Sequence, residues 1–187
     1  MMKRKSVKIA SSVAARAKRI RVLLMDVDGV LTDGHVWLLS HRDGTASELK
    51  SFSAYDGAGL KIAREAGLRT GLITGRESAA VAQRARECEF EFVFQGRAVK
   101  LTAYEDILRA AGVSDAEVAY VGDDLPDIPL LQRVGLAIAV ANAVPEVKRA
   151  AHYTTARAGG EGAIREVIEL IVKAQGKWEE ASRNAKA

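Results

Sequence analysis

The chain has 187 residues, 48% of them hydrophobic, enough for one domain with a sizeable core and too few to divide comfortably into two. Its single cysteine excludes an internal disulfide, and no apolar stretch approaches the roughly 20 residues needed to cross a bilayer, so a cytoplasmic protein is expected. The net charge of +4 hides an asymmetry: residues 1–21 carry eight Lys or Arg and no acid, leaving 20 basic against 24 acidic residues in the remainder.

In chain order, residues 1–20 read as a basic extension ahead of a single domain over 21–187. A transit peptide, a nucleic-acid arm or a membrane-surface helix has such a composition. The extension carries no aromatic residue to stack on bases or anchor in lipid. A solvated extension, helical over Val13–Lys18, is therefore the reading, with neither nucleic acid nor membrane as a partner.

Strand signals at Arg21–Val27, Arg69–Thr74, Phe92–Phe94, Val118–Gly122 and Leu136–Val140 alternate with helical patterns at Gly57–Ala66, Ser78–Cys88, Lys100–Ala111, Asp127–Arg133, Val144–Ala150 and Gly162–Gln175. Alternation of this kind predicts an α/β fold, Rossmann-like and doubly wound, with a mostly parallel sheet covered by helices on both faces. Between the first strand and the first of these helices, residues 34–52 predict a protruding β-hairpin turning at Asp43-Gly44. Val36, Trp37, Leu38 and Leu39 cannot all be hidden by a hairpin alone, so it packs on the body or joins subunits; a subunit interface is the favoured reading.

The first strand runs into Asp26-Val27-Asp28-Gly29. Strand side chains alternate, so Asp26 and Asp28 leave on one side and Gly29 permits a sharp turn about whatever they hold. Two carboxylates on one rim suit a hard cation such as Mg²⁺, and one of them can attack phosphorus while the other manages a proton. Further along, Thr74 ends a second strand, Lys100 opens a helix, and Asp123, Asp124 and Asp127 follow a third strand. Every one of these groups falls at or just beyond a strand's carboxyl end, where ligands of open α/β sheets collect.

That order of acids, hydroxyl, lysine and acids resembles the haloacid dehalogenase-like phosphatases. The roles follow: Asp26 as nucleophile and Mg²⁺ ligand, Asp28 as general acid and base with its backbone carbonyl on the metal, Asp123 as a further ligand, and Thr74 and Lys100 on the phosphoryl oxygens. Asp124 is expected behind the ligands. Asp127 either orients a metal-bound water or caps a helix. The three histidines lack metal-ligand spacing, Cys88 reads as core, and no GxxxxGK[ST] loop is present.

From Ile20 to about Ala181 the chain more narrowly resembles the 3-deoxy-D-manno-octulosonate 8-phosphate phosphatases. The carriers are DVDGVLTDG from Asp26, Asp56-Gly57-Ala58-Gly59, ITGR ending at Arg76, Arg84, QGRAVK ending at Lys100, GDDLPD from Gly122 and GGEGAIREV from Gly159. The resemblance implies no large cap domain, a homotetramer assembled through the hairpins, a role in lipopolysaccharide precursor synthesis, and a sugar site lined by Ser53, Ala54, Tyr55, Asp56, Gly57 and Lys61. Arg76 and Arg84 are suited to a substrate carboxylate, because a guanidinium binds it bidentately. Tyr55 stands where these enzymes usually carry arginine, and Glu161 replaces a common arginine. Gly159, Gly160 and Gly162 read either as a lid hinge or as a turn ahead of a helix. A phosphatase for a nine-carbon sugar acid 9-phosphate or another small phosphometabolite, and a non-catalytic binding module on the same fold, are the alternatives.

Overall fold

A computed structural model describes residues 10–185; Lys3, Arg4, Lys5 and Lys8 of the basic extension lie outside them. The elements are α1 (Ser11–Ala17), β1 (Val22–Met25), β2 (Trp37–Ser40), β3 (Ala46–Leu49), α2 (Ala54–Glu65), β4 (Arg69–Ile73), α3 (Ala79–Glu87), β5 (Phe92–Phe94), α4 (Lys100–Ala111), β6 (Val118–Gly122), α5 (Ile128–Leu131), β7 (Leu136–Ala139), α6 (Pro145–Ala150), β8 (Tyr153–Thr154), α7 (Ala163–Ala174) and α8 (Trp178–Asn184).

Six strands form one sheet in the order β5-β4-β1-β6-β7-β8, and every pairing in it is parallel. All residues of β1, β6 and β7 are buried, as a parallel sheet covered on both faces requires. The helices form two packed groups, α1–α2–α7 and α4–α5–α6. After β1 the chain builds outward through β4 and β5, then returns to the other side of β1 to add β6. The strand order therefore reverses between β1 and β6, the place where open α/β sheets bind ligands.

The N-terminal segment departs from expectation. Helix α1 forms, but it is not a solvated extension: Val13 and Ala17 fall on one face of it and, with Ile20 just beyond its end, are buried in the core. Arg16 Nη1 donates to the Gly135 carbonyl at 2.7 Å, and Gln175 Nε2 donates to the Ile20 carbonyl at 2.7 Å. The globular body thus begins by residue 11, since the apolar face of α1 finds a partner in α7. Two short elements without a sequence signal complete the body: β8, a two-residue edge strand, and α8, which begins after Gly176 reverses the chain at φ +72°.

Strands β2 and β3 pair antiparallel, with Trp37 opposite Leu49 and Leu38 opposite Glu48, and Gly44 takes φ +82° in the turn. No cap domain is inserted among the described residues. Trp37, Leu38, Leu39 and Leu49 remain 54–66% exposed, so this chain's own body does not cover the hairpin.

Candidate active site

At the switch point the exits of β1, β4 and β6 converge on a cavity of about 480 Å³ lined by Asp26, Asp28, Gly34, Thr74, Gly75, Arg76, Ala98, Lys100, Asp123, Asp124 and Pro126. Seven of the residues expected from the sequence are brought together here. Thr74 is buried, its amide tied to the Phe94 carbonyl at 2.9 Å. Lys100 is buried at the first position of α4.

The loop after β1 is braced from beneath. Thr32, fully buried, accepts from the Gly29 and Gly34 amides through Oγ1 and donates to the Val27 carbonyl. Gly29 takes φ +88°, and a Cβ there would lie 2.1 Å from Asp123 Oδ2. Glycine is thus needed both for the turn and for the approach of the acid. Asn142 Nδ2 donates to the Gly29 carbonyl at 3.0 Å, its Oδ1 accepts from the Gly159 amide at 2.7 Å, and Gly160 N donates to the Val30 carbonyl at 3.1 Å. The Gly159–Gly160 segment is therefore a bracket locked against the acid loop rather than a lid hinge. Asn142 was not foreseen, because nothing local to it in the sequence points to Gly29.

Oxygens of Asp26, Asp123 and Asp127 lie within 4.8 Å of one another. Asp127 is fully buried and both its oxygens are engaged: Oδ1 accepts from Lys100 Nζ at 2.7 Å and from Tyr120 Oη at 2.7 Å, and Oδ2 accepts from the Asp123 and Asp124 amides. It caps the 3-10 turn Leu125–Asp127, one of the two jobs between which its spacing left a choice, and it also anchors Lys100. Gly122 permits this, since a Cβ there would meet the Asp127 side chain at 2.5 Å. Asp124 caps the same turn through its bond from the Leu125 amide.

Lys100 Nζ also lies 2.9 Å from Asp26 Oδ1. That oxygen has no hydrogen-bond partner of good geometry, and Asp123 Oδ1 has none either, although both are buried. Burial, opposed by Lys100 and reinforced by Asp127, raises the Asp26 carboxyl above the ordinary range. Burial, with Asp26 and Asp127 beside it, pushes Asp123 up to about 8. Burial works against the charge on Lys100, but Asp26 and Asp127 outweigh it and its pKa rises. Two unsatisfied buried carboxylate oxygens with raised affinity for positive charge are what a divalent cation would complete. The donor set, all oxygen, fits Mg²⁺.

Asp28 stands apart from that cluster and meets two cations instead. Lys50 Nζ donates to Asp28 Oδ1, and Arg76 Nε lies 3.6 Å from Oδ2. Arg76 Nη2 in turn donates to Glu48 Oε2 at 3.0 Å. Lys50 and Glu48 come from the hairpin and were missed; the available signal is that residues two apart at a strand end share a face.

Other expected sugar-site residues lie elsewhere in the single chain. Asp56 is buried and its Oδ1 accepts from the Arg165 amide at 2.7 Å, tying α2 to the start of α7; its carboxyl is raised by burial. Gly57 sits under the Arg84 guanidinium, which a Cβ would meet at 2.5 Å. Arg84 Nη2 donates to the Ser53 carbonyl, and its guanidinium lies over the Phe52 ring. Gly57, Lys61 and Arg84 line a separate cavity of about 440 Å³ between α2 and α3. Ala54 and Tyr55 open α2, with Tyr55 68% exposed. The expectation that Arg84 reaches the same pocket as Arg76 thus fails within one chain, since α3 carries it over α2.

Comparison with known proteins agrees with this geometry. Residues 89–168 match the haloacid dehalogenase-like hydrolase family model. The chain is 41% identical over 173 residues to 3-deoxy-D-manno-octulosonate 8-phosphate phosphatase KdsC of Escherichia coli K12, covering 92% of this chain and 90% of the relative. A structure of 3-deoxy-D-manno-octulosonate 8-phosphate phosphatase from Moraxella catarrhalis, in complex with magnesium, phosphate and KDO, superposes with a TM-score of 0.87 at 37% identity, covering 94% of this chain and 99% of that one. A probable YrbI family phosphatase from Pseudomonas syringae gives 0.88 at 43% identity, over 95% and 99%. With acids, hydroxyl and lysine assembled at the switch point and relatives aligned over nearly the whole chain, the protein belongs to the 3-deoxy-D-manno-octulosonate 8-phosphate phosphatase family of haloacid dehalogenase-like hydrolases.

Proposed function

We propose that the chain is a Mg²⁺-dependent phosphatase that hydrolyses 3-deoxy-D-manno-octulosonate 8-phosphate to the free sugar acid and phosphate, in the cytoplasm, on the route to lipopolysaccharide. The observation that carries this reading is the pair of unsatisfied buried oxygens on Asp26 and Asp123 beside Lys100. Phosphate monoesters hydrolyse extremely slowly in water, so the site must place a nucleophile, neutralise phosphoryl oxygens and protonate the leaving alcohol. The carboxylates of Asp26 and Asp123 and the backbone carbonyl of Asp28 would hold the Mg²⁺. When bound, the ion supplies charge neutralisation for the phosphoryl group.

Asp26 attacks phosphorus and forms an aspartyl phosphate as the ester P–O bond breaks; Asp28 gives its proton to the departing alkoxide. Asp28 then takes a proton from water, the water oxygen bonds to phosphorus, and the bond to Asp26 breaks. Thr74 donates its hydroxyl and Lys100 its charge to the phosphoryl oxygens. Asp127 and Tyr120 hold the ammonium where it can serve. Arg76 suits the carboxylate of the sugar acid: Glu48 already occupies the guanidinium in this structure, so a carboxylate fits there.

The exposed apolar residues of the hairpin support assembly of four chains around it, and such assembly is how Ser53, Ala54, Tyr55, Lys61 and Arg84 would come to a shared substrate site. Tyr55, in place of the usual arginine, removes one polar contact expected for the octulosonate, and a nine-carbon sugar acid 9-phosphate is the second reading. Phosphate release from the octulosonate ester, from N-acetylneuraminate 9-phosphate and from an aryl phosphate, with and without EDTA, separates them. An EDTA-sensitive preference for the octulosonate is expected; turnover of the aryl phosphate alone moves the substrate elsewhere. Asp26→Asn should abolish activity, and retained turnover would sink the nucleophile.

A further inference from the structure

Lys50 follows β3 at the base of a hairpin whose strands are largely exposed, yet its own side chain is 0% exposed. Burying an ammonium is costly unless it is paired, and ordering a long lysine side chain costs rotamer freedom. The compensation is a closed ring of four alternating charges. Lys50 Nζ contacts Asp28 Oδ1 and lies 3.8 Å from Glu48 Oε1; Glu48 Oε2 is 3.0 Å from Arg76 Nη2; Arg76 Nε is 3.6 Å from Asp28 Oδ2. Two members come from the hairpin and two from the exits of β1 and β4.

We infer that Lys50 is a positioning residue for Asp28, delivered by the hairpin, that holds the carboxylate in the orientation from which it exchanges protons with the leaving oxygen and the attacking water. A structural latch alone would be met by the Arg76–Glu48 bond, which also joins hairpin to body. The Lys50 contact does something more, because it ends on the acid that moves the proton. Of the ring's members only Lys50 hydrogen-bonds that carboxylate, and it does so through Oδ1. Oδ2 makes no hydrogen bond among the described residues, with Arg76 Nε beside it at 3.6 Å. Seating of the hairpin base is therefore linked to readiness of the site. This rests on the phosphatase reading above, in which Asp28 is the acid and base.

The test uses the full chain with Lys50→Met, Lys50→Arg and Asp28→Asn, singly and with Lys50→Met in the Asp28→Asn background, on an aryl phosphate as well as the sugar phosphate. Lys50→Met is expected to lower kcat by about 10-fold or more with KM changed less than about 3-fold, the mark of an interaction lost from the transition state alone. Lys50→Arg should restore most of the rate. In the Asp28→Asn background, Lys50→Met should cost nothing further, because residues acting through one group are not additive. An unchanged kcat, a rise in KM alone, or the same fold loss in both backgrounds overturns the inference. Should Lys50→Met fail to fold, Lys50→Gln carries the test: the loss of kcat it causes alone should vanish in the Asp28→Asn background, and the same fold loss in both backgrounds is again the overturning result. A wild-type chain that cleaves no phosphate ester defeats the phosphatase reading and the inference with it; a wild-type chain that is active beside an equally active Lys50→Met defeats the inference alone.

Discussion

Lys100 Nζ lies 2.7 Å from Asp127 Oδ1 and 2.9 Å from Asp26 Oδ1, so one buried ammonium is suspended between an acid fully consumed by internal bonds and an acid left free to react. The two carboxylates are chemically identical. Their roles differ because Tyr120 and two backbone amides satisfy Asp127, while Asp26 Oδ1 has no hydrogen-bond partner of good geometry among the described residues.

Asp127→Asn should therefore damage both stability and rate. Removing one partner of a buried ion pair typically costs about 3–5 kcal/mol, and a lysine misplaced by about 1 Å can cost on the order of 100-fold in turnover. Urea denaturation and steady-state kinetics on the same variant should show both losses. A variant that keeps wild-type kcat would mean Lys100 is positioned without Asp127.

Gly159→Ala should loosen the acid loop from below. The added Cβ would lie 1.8 Å from the Gly29 carbonyl oxygen, and overpacking of this kind costs about 1–3 kcal/mol. We expect a lowered melting temperature together with a fall in kcat, since Gly29 must move and carries Asp28 with it. Loss of stability with unchanged turnover would show that the bracket does not set the acid loop.

The metal-free protein should become less stable as pH rises. Asp123 has an ordinary value of 3.8 and is pushed up to about 8 in the fold, so between those values the native state holds a proton that the unfolded state has released. Stability then falls with increasing pH across that window. Cation binding must expel the proton, so affinity for Mg²⁺ should increase as pH rises toward 8. Calorimetric melts at several pH values, with and without Mg²⁺, check both: a larger Mg²⁺-induced rise in melting temperature at low pH than at high pH would contradict the assignment.

Leu39→Glu should dissociate the proposed hairpin assembly without unfolding the chain. Leu39 is 54% exposed and pairs across the hairpin with Ser47, so the charge meets no acid directly opposite. An exposed substitution of this kind normally changes the stability of a single chain by no more than about 0.5 kcal/mol. Sedimentation should show a multimer for the parent chain and a single chain for the variant. Equal masses for the two would place the subunit contact elsewhere.

Much of the scaffold was legible because parallel strands buried on both faces leave short apolar runs bounded by turn residues. The bounds of β5, β6 and α4 coincide with their expectations, and Asp26, Thr74 and Asp123 arrive together because strand ends are ordered by a simple topology. Helix α1 shows the limit of that method. Its charges read as solvated, and only the presence of α7 beside Val13 and Ala17 makes its apolar face a core face. Asp56 shows the same limit from the other side, since a motif acid expected at the sugar site is spent on the α7 backbone.

By itself the sequence determined the chemical inventory: carboxylates, hydroxyl and lysine placed at the ends of apolar strands, in an order that belongs to one family. Only the tertiary structure decided which oxygens remain available for that chemistry. Whether a carboxylate is a ligand or an anchor depends on partners distant in the chain, as Lys100 is from Asp127 and Lys50 from Asp28. A buried polar atom is either satisfied by such a partner or left to bind something else, and local sequence does not carry that distance.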